Sequence, residues 1–443
     1  MARLGMFCLP FVGHLTAFSG LARELSGRGH EVVFFQLPSS SEQLRAWGLR
    51  CESYGESRFP AGSFAEWSRE LSRLDGLRAS QASLEILRSQ AEALFTEGRP
   101  LIMRAKLDLW VVDQLDYAAA TLAAELRAPF VTATVSLMMH HEDGVPGLSG
   151  ERYTDDPAVQ ERDRRFNEAA LETSKPFRDF IGARRLKAGL GPFSYDDLWS
   201  GLAQITQQPA EFEFPRRKLP ACFHFTGPFA LGARPPGPPF PWELLSGKTQ
   251  VYASFGATQN RNIRLYQALV RATADLDVQV VLSLGGADPS ELPLEAPANM
   301  LVVSFAPQLE ILEKAALMIT HAGMNSALEC LAAGVPMVAV PIAHDHSGVA
   351  ARIEWTGTGV RVPPSECEPA RLRNAIETVL GKASFRESAR RFQRIIAEAE
   401  GLRRAGDIIE RVAATGRPVL RGESFAESPD QTAAAEERQR KAG

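Results

Sequence analysis

The chain has 443 residues, of which 45% are hydrophobic and 23% charged, and its formal net charge at pH 7 is -4. This length exceeds what one hydrophobic core usually covers, so we expect two domains. The balanced charge argues against a nucleic-acid surface, and no apolar run is long enough to span a bilayer, although peripheral membrane contact stays open. Five cysteines, far apart and without a C-x-x-C pair, favour a reduced, cytoplasmic protein.

The first residues predict a βα unit that ends in a histidine. Gly5 to Phe11 is predicted as a strand, Gly13-His14 as a tight turn, and Leu15 to Leu25 as a helix. The next strand is predicted from His30 to Gln36. Because FVGHLTAFSG lacks G-x-G-x-x-G, we expect no dinucleotide cofactor. His14 is therefore predicted at the strand edge where parallel sheets bind ligands.

A second polar residue is predicted at the same edge of the sheet. After helices between residues 63 and 98, Leu107 to Val112 is a buried strand that ends at Asp113, and Asp116 precedes the next helix. An aspartate beside His14 would fix the imidazole tautomer and stabilise the cation formed when the ring removes a proton. The alternative is that His14 is a structural turn residue and that Asp113 or Asp116 caps a helix.

The middle of the chain gives weaker signals. Residues 136–210 mix Met, aromatic and polar residues without clean periodicity, and we expect a ligand pocket and its lid there. His140 and His141 are adjacent, but their side chains diverge and no third ligand is suitably spaced, so no metal site is expected. Phe212 to Phe229 is predicted as a strand pair. The first domain is predicted to cover residues 1–231, followed by a Pro/Gly linker at 232–241.

The second domain, predicted at residues 242–400, repeats the βα pattern. Its predicted strands run over residues 249–256, 279–284, 301–305, 317–321 and 336–342, and its last helices over residues 369–380, 385–399 and 405–412. Gly256 and Thr258, after the first of these strands, could approach a phosphate, and a plain βα turn is an equal alternative. Residues 417–443 are polar with no apolar stripe, so we predict a disordered tail.

The most specific segment is His321-Ala-Gly-Met-Asn-Ser-Ala-Leu-Glu329. A strand ends at His321, Gly323 allows a close turn, and Asn325-Ser326 supplies cap-type side chains before a helix. Free backbone N–H groups at such a helix N-terminus suit a phosphate or diphosphate. Taken singly, each part has a plainer explanation, because Asn-Ser is a common cap pair and a histidine at a strand end is often only hydrogen-bonded.

Together, these motifs resemble the donor box of UDP-glycosyltransferases. The resemblance rests on Phe305-Ala-Pro-Gln308, His321-x-Gly-x-Asn-Ser-x-x-Glu329, Gly334-Val-Pro336 and Asp345. VVDQLDYAA, EFEFPR and DHSGVAARIEW resemble the bacterial branch near carotenoid (zeaxanthin) glucosyltransferases and macrolide-type glycosyltransferases. The resemblance implies an α/β GT-B fold, two facing Rossmann-like domains with parallel sheets and an interdomain cleft. It also implies that the helix at 401–416 returns to the first domain.

The resemblance also implies a role for each site residue. His14 and Asp113 would be the acid-base dyad, with Asp116 as the fallback partner. Phe305 would stack on uracil, while the Ala306 backbone and Gln308 would face the base. Glu329 would accept from the ribose hydroxyls. The diphosphate would be bound by His321, Gly323, Asn325 and Ser326. The sugar would be bound by Asp345 and His346.

The implied reaction is inverting transfer of a sugar, glucose first, from UDP to a hydroxyl of a hydrophobic small molecule. UDP-sugar would be a cosubstrate, and neither a metal nor another cofactor is expected. His346 stands where the family usually has Gln, and Val349 where many members have Asn, so the donor sugar stays open. The alternatives are a non-catalytic or altered-donor UDP-sugar-binding relative and a nucleotide-sugar epimerase of GT-B fold. The sequence fixes neither the acceptor, the transferred-to atom nor the oligomeric state.

Overall fold

The computed structural model describes residues 1–231, 239–291 and 294–422, and its strands form two parallel sheets. The first sheet has seven strands in the order β3-β2-β1-β4-β5-β6-β7. These strands are β1 (Arg3–Phe7), β2 (Glu31–Gln36), β3 (Cys51–Ser53), β4 (Leu109–Asp113), β5 (Phe130–Thr134), β6 (Gln204–Thr206) and β7 (Phe223–Phe225). The helices around it are α1 (Val12–Gly27), α2 (Pro38–Ala46), α3 (Ser63–Leu71), α4 (Gly76–Ala93), α5 (Arg99–Ala105), α6 (Tyr117–Leu126) and α7 (Pro157–Lys187).

The second sheet has six strands in the order β10-β9-β8-β11-β12-β13. They are β8 (Gln250–Ser254), β9 (Gln279–Ser283), β10 (Met300–Val303), β11 (Ala315–Thr320), β12 (Met337–Ala339) and β13 (Gly359–Arg361). Its helices are α8 (Ile263–Thr273), α9 (Gln308–Leu312), α10 (Met324–Ala333), α11 (His346–Trp355), α12 (Pro369–Gly381), α13 (Ala383–Ala399) and α14 (Gly401–Thr415). The prediction of two parallel-sheet α/β domains is confirmed. No described helix is both long and apolar enough to cross a membrane.

The predicted turn at Gly13-His14 is wrong. Strand β1 ends at Phe7, earlier than the predicted Phe11, and Phe11 is the extended N-cap of α1. Pro10 cannot donate to a strand ladder, which is consistent with the early end of the strand. His14 therefore lies in the first turn of a helix, on a backbone fixed by helical hydrogen bonds.

The middle of the first domain is more regular than predicted. Helix α7 runs for 31 residues despite Pro176, and the Asp156 side chain caps it by accepting from the Ala158 N–H. Most of its length is charged, and its fully apolar contacts with the core come from a few residues such as Phe177 and Ile181. An apolar stripe this sparse gives little helical signal in the sequence.

The predicted strand pair at Phe212 to Phe229 is also wrong. Residues 210–212 form a 3-10 turn, residues 213–222 have no regular structure, and Phe223–Phe225 alone is a strand. Glu213 explains the departure, because its carboxylate crosses to the second domain. The Arg352 guanidinium donates to both Glu213 oxygens, and the two side chains are 0% and 1% exposed.

This ion pair joins the domains with its hydrogen bonds satisfied. Arg352 also donates to the Gly348 and Pro146 carbonyls at 3.0 and 3.2 Å, and its guanidinium lies 4.3 Å from the centre of the Phe214 ring. Burial alone would raise the pKa of the Glu213 carboxyl, but the charges of Arg352 and Arg216 lower it below its usual value. Glu213 is therefore a buried carboxylate between two cations.

The C-terminal part of the chain returns to the first domain. Helix α14 buries Ile408 and Ile409 in the cluster that includes Leu21 and Leu25 of α1, and Arg28 donates to the Asp407 carboxylate at 2.7 Å. The chain then continues along the first domain: Val419 is fully buried, and its N–H donates to the Leu202 carbonyl at 2.8 Å.

The predicted C-terminal tail and the predicted linker lie partly outside the described residues. Residues 417–422 pack on the first domain and are not part of a disordered tail, whereas residues 423–443 lie outside the described part of the chain. Most of the predicted linker, residues 232–238, also lies outside it. The division into domains at residues 231 and 242 stays a prediction.

Replacing Glu213 by Gln should destabilise the protein by about 3–5 kcal/mol, because Arg352 and Arg216 would be left buried without their counter-ion. Urea unfolding measures this, with Glu168→Gln as the control. Glu168 pairs with Arg164 on exposed α7, and its loss should change stability by no more than about 0.5 kcal/mol.

The same pair predicts a pH dependence. Since the folded pKa of Glu213 is lowered, its contribution is present above the unfolded pKa of a glutamate and is lost as the pH falls through the folded value. Equal stability of wild type and Glu213→Gln at neutral pH would show that the pair does not hold the domains together.

Candidate active site

His14 and Asp113 meet at the edge of the first sheet. Strands β1 and β4 are neighbours, so Asp113 at the end of β4 lies beside the first turn of α1. His14 Nδ1 is 2.5 Å from Asp113 Oδ2, and Asp113 Oδ1 accepts from the Leu115 N–H at 3.0 Å. An ionised carboxylate only accepts hydrogen bonds, so Nδ1 carries the proton and Nε2 of the neutral ring has its lone pair free for a substrate.

The charges around His14 make it a stronger base. Burial would lower the pKa of the imidazole, but the Asp113 carboxylate, with smaller contributions from Asp345 and Asp116, raises it above 6.5. Asp345 belongs to the second domain, so the field at His14 comes from both sides of the cleft.

Asp116 has a different task. Its Oδ1 accepts from the Ala119 N–H at 2.9 Å, so it is the N-cap of α6. Burial, together with the nearby charge of Asp113, raises the pKa of the Asp116 carboxyl to about 7. The carboxylate that contacts His14 is Asp113, and the cap explanation applies to Asp116.

The N-terminus of α10 faces this pair across the cleft. Helix α10 begins at Met324 with Gly323 as its cap, so Asn325 and Ser326 lie in the first turn and not before it. Ala322 holds a φ of +64°, an uncommon conformation for a residue with a side chain, and this reverses the chain between strand and helix. Among the described residues, the N–H groups of residues 324–326 have no acceptor, as expected for a first helical turn.

The side chain of Asn325 bridges the two domains. Its Nδ2 donates to the Gly13 carbonyl at 2.8 Å, and its Oδ1 accepts from Gln207 Nε2 at 2.8 Å. Gln207 was missed by sequence reasoning, because nothing near it in the chain points to a contact with the second domain.

His321 is packed between two glycines. A Cβ placed on Gly256 or Gly323 would lie 2.7 or 2.5 Å from His321 Nε2, so both positions need glycine. Gly256 also has a φ of +81°. Burial lowers the pKa of His321 to about 4, so the ring is neutral at physiological pH. Its Nδ1 is buried, and the Ser254 backbone lies within hydrogen-bonding reach of the ring.

The residues expected to bind the nucleoside contact one another. Gln308 Nε2 donates to Glu329 Oε2 at 2.5 Å and to Ser326 Oγ at 3.3 Å, while the Tyr252 hydroxyl donates to Gln308 Oε1 at 3.1 Å. Glu329 is 2% exposed, so ribose hydroxyls would reach it only at the edge of this network. Phe305, in contrast, is 49% exposed after β10, beside Ala306.

The segment that joins β12 to α11 places Asp345 and His346 at the cleft. Asp345 Oδ2 accepts from the Leu137 N–H at 2.8 Å, and His346 Nδ1 accepts from the Ala343 N–H at 3.1 Å. The His346 ring stands edge-on to His321 at 4.6 Å, and burial next to His321 lowers its pKa well below 6.5. His346 is therefore neutral at physiological pH, and we expect its Nδ1 to remain an acceptor for the Ala343 N–H.

His344 in the same loop was not singled out from the sequence. It has a φ of +54° and an exposed side chain whose Nε2 lies 3.0 Å from Gln259 Nε2. The sequence feature that could have identified His344 as a site residue is its position directly before Asp345. Thr258, beside Gln259, lines a small cavity of about 110 Å³ with first-domain residues that include Phe11 and Ser40.

Comparison with known proteins identifies the family of the chain. The family model described as UDP-glucoronosyl and UDP-glucosyl transferase matches residues 194–407. The chain is 30% identical over 436 residues to zeaxanthin glucosyltransferase of Pantoea ananas, covering 96% of this chain and 99% of that protein. It is 27% identical over 424 residues to 4'-demethylrebeccamycin synthase of Lentzea aerocolonigenes, covering 92% and 99% of the two chains.

Solved structures show the same fold. The crystal structure of CalG4, the calicheamicin glycosyltransferase, has a TM-score of 0.66 and 25% identity, over 94% of this chain and 100% of that one. The glycotransferase of kitacinnamycin has a TM-score of 0.69 and 23% identity, over 93% and 98%. The expected fold class and branch are confirmed, and the chain belongs to the UDP-glycosyltransferase family as an enzyme of GT-B fold.

Proposed function

We propose that this enzyme transfers a sugar, glucose first, from UDP to a hydroxyl of a hydrophobic natural product such as a carotenoid, terpenoid or polyketide, with inversion. The observation that carries the proposal is the His14–Asp113 pair opposite the unpaired N–H groups of α10. The relatives named for zeaxanthin and for demethylrebeccamycin support an acceptor of this kind.

His14 would act as the general base. Its free Nε2 accepts the proton of the acceptor hydroxyl, and Asp113 stabilises the imidazolium that forms. The acceptor oxygen then forms a bond to the anomeric carbon as the bond from that carbon to the UDP oxygen breaks. A single displacement from the face opposite UDP inverts the configuration at that carbon.

The departing diphosphate would be stabilised by fixed dipoles of the second domain. The N–H groups in the first turn of α10, the Ser326 hydroxyl and the helix dipole all favour the negative charge that develops there. His321 stays neutral at physiological pH, so its ring offers one donor and one acceptor nitrogen and no charge. Phe305 offers an exposed ring to the uracil.

An aromatic cluster beside the dyad supports a hydrophobic acceptor. Tyr117 directly follows the cap Asp116, and its ring centre lies within 6.0 Å of those of Phe177, Phe193 and Tyr195. Tyr117 and Phe177 belong to the buried core, whereas Phe193 and Tyr195 are only partly covered and offer apolar surface, which favours a ring system or a polyene over a charged acceptor.

His14→Ala should lower the transfer rate about 10²- to 10⁴-fold, because a general base is lost, and should leave UDP affinity unchanged. Product formation by mass spectrometry and calorimetry with UDP measure the two quantities. His141→Ala is the control, since His141 is an exposed histidine of the first domain that pairs with Asp143. Transfer at the wild-type rate by His14→Ala would contradict the assignment.

The raised pKa of His14 predicts the pH profile. Because the base must be neutral, kcat/KM should fall as the pH drops through a value above 6.5. Asp113→Asn should lower the rate and shift this acid limb to lower pH, since it removes the main charge that raises the pKa. Asp116→Asn should have little effect, because the amide oxygen can still cap α6. The reverse order of the two variants would exchange their roles.

His346→Gln should shift donor choice while leaving the nucleotide site intact. The amide oxygen can still accept from the Ala343 N–H, whereas the group next to His321 changes from a ring to an amide. We expect the turnover ratio among UDP-glucose, UDP-galactose and UDP-N-acetylglucosamine to change about ten-fold, or about 1.4 kcal/mol, with UDP inhibition unchanged. Equal effects on all three donors would show that His346 does not influence the sugar.

A further inference from the structure

The amide of Asn325 is used on the first domain, at both of its polar atoms. Its Nδ2 donates to the Gly13 carbonyl and its Oδ1 accepts from Gln207 Nε2, each at 2.8 Å. The family resemblance assigns Asn325 to the diphosphate. In this chain its oxygen and one of its two N–H bonds are committed to the opposite wall of the cleft.

The side chain of Gln207 is held by contacts within the first domain, independently of Asn325. It is fully buried just after β6, its second N–H donates to the Val135 carbonyl, and its oxygen accepts from the Phe229 N–H at 3.4 Å. A side chain held at two points within its own domain presents its remaining N–H in one direction. Gln207 therefore acts as a rigid donor aimed at the second domain.

The other end of the bridge reaches the turn that carries the base. Gly13 directly precedes His14, and both lie in the first turn of α1. A hydrogen bond to the Gly13 carbonyl thus ties the backbone beside His14 to the first turn of α10. Through Asn325, the turn with the unpaired N–H groups and the turn with the imidazole share one contact.

We propose that Gln207 and Asn325 are positioning residues that set the register of His14 against the donor helix α10. The proposal rests on the proposed function, and it leaves diphosphate binding to the backbone N–H groups of α10 and to Ser326. The physical reason is geometric: the base and the leaving group belong to different domains, and a displacement of about 1 Å in such an arrangement can cost about 10²-fold in rate.

A double-mutant cycle tests the proposal. Gln207→Leu and Asn325→Ala should each lower kcat about ten-fold while the Kd for UDP, from calorimetry, changes less than two-fold. The double variant should be no slower than the slower single variant, because both changes break the same bridge. Asn325→Asp, which keeps an oxygen for Gln207 but sets a carboxylate against the Gly13 carbonyl, should lower kcat as much as Asn325→Ala.

Gln204→Leu is the matched control. Gln204 is another buried glutamine of β6, and its side chain bonds within the first domain, to Ser200 and His140. Its effect should multiply with that of Asn325→Ala, as for independent sites. If Gln207→Leu leaves kcat unchanged, or if Asn325→Ala weakens UDP ten-fold with kcat intact, the proposal is wrong.

Failure of the proposed function would look different. A wild-type protein that transfers no sugar from any UDP donor would refute the function. The bridge between Gln207, Asn325 and Gly13 would then be tested by the thermal unfolding midpoints of the wild type, the two single variants and the double variant. Non-additive midpoints would support the bridge on their own, and additive midpoints would overturn it.

Discussion

The proposed active site lies across an interface between the two domains, and buried contacts hold that interface together. The proposed base His14 lies on α1 of the first domain, and the N–H groups proposed to face the leaving group lie on α10 of the second. On this assignment, neither domain holds both groups. The buried Glu213–Arg352 pair supplies a fixed point, because separating it would leave charges stranded in an apolar environment. The contacts of Asp345 and Asn325 with the first domain are less buried hydrogen bonds, and that of Asn325 with the Gly13 carbonyl lies directly beside the proposed base.

Electrostatics divide the histidines of the cleft into two kinds. His14 has a carboxylate on its ring and its pKa is raised, whereas His321 and His346 are buried without a carboxylate contact and their pKa values are lowered. Of these three rings, His14 is the one whose surroundings favour the protonated form. The other two remain neutral dipoles, and a neutral ring beside a departing diphosphate can donate a hydrogen bond without becoming a competing acid.

Sequence patterns were sufficient where local chemistry decides the structure. The strand that ends at Asp113 and the strand–turn–helix from His321 to Glu329 follow from apolar runs and a glycine, and both were located correctly, although α10 begins at Met324 and not after the Asn325-Ser326 pair. The patterns failed where the decisive partner is distant in the chain. Glu213 looked like part of a strand because its partner Arg352 is 139 residues away, and Gln207 gave no signal because its meaning lies in Asn325. The helical position of His14, in contrast, was a boundary error of a few residues.

At position 346 the chain has histidine where the family usually has glutamine, and the residues packed around this position decide what the substitution changes. The usual glutamine offers an acceptor and two donors at the end of a flexible side chain, and His346 keeps the acceptor function through its bond from the Ala343 N–H. Its ring then rests against His321, which itself touches Gly256 and Gly323 in the proposed diphosphate site. His346 is 7% exposed and is held by the bond from the Ala343 N–H, so a substitution that keeps the acceptor, such as glutamine, can leave His321 and the two glycines in place. On the proposed function, the substitution then changes chiefly the polar group that position 346 offers to the transferred sugar.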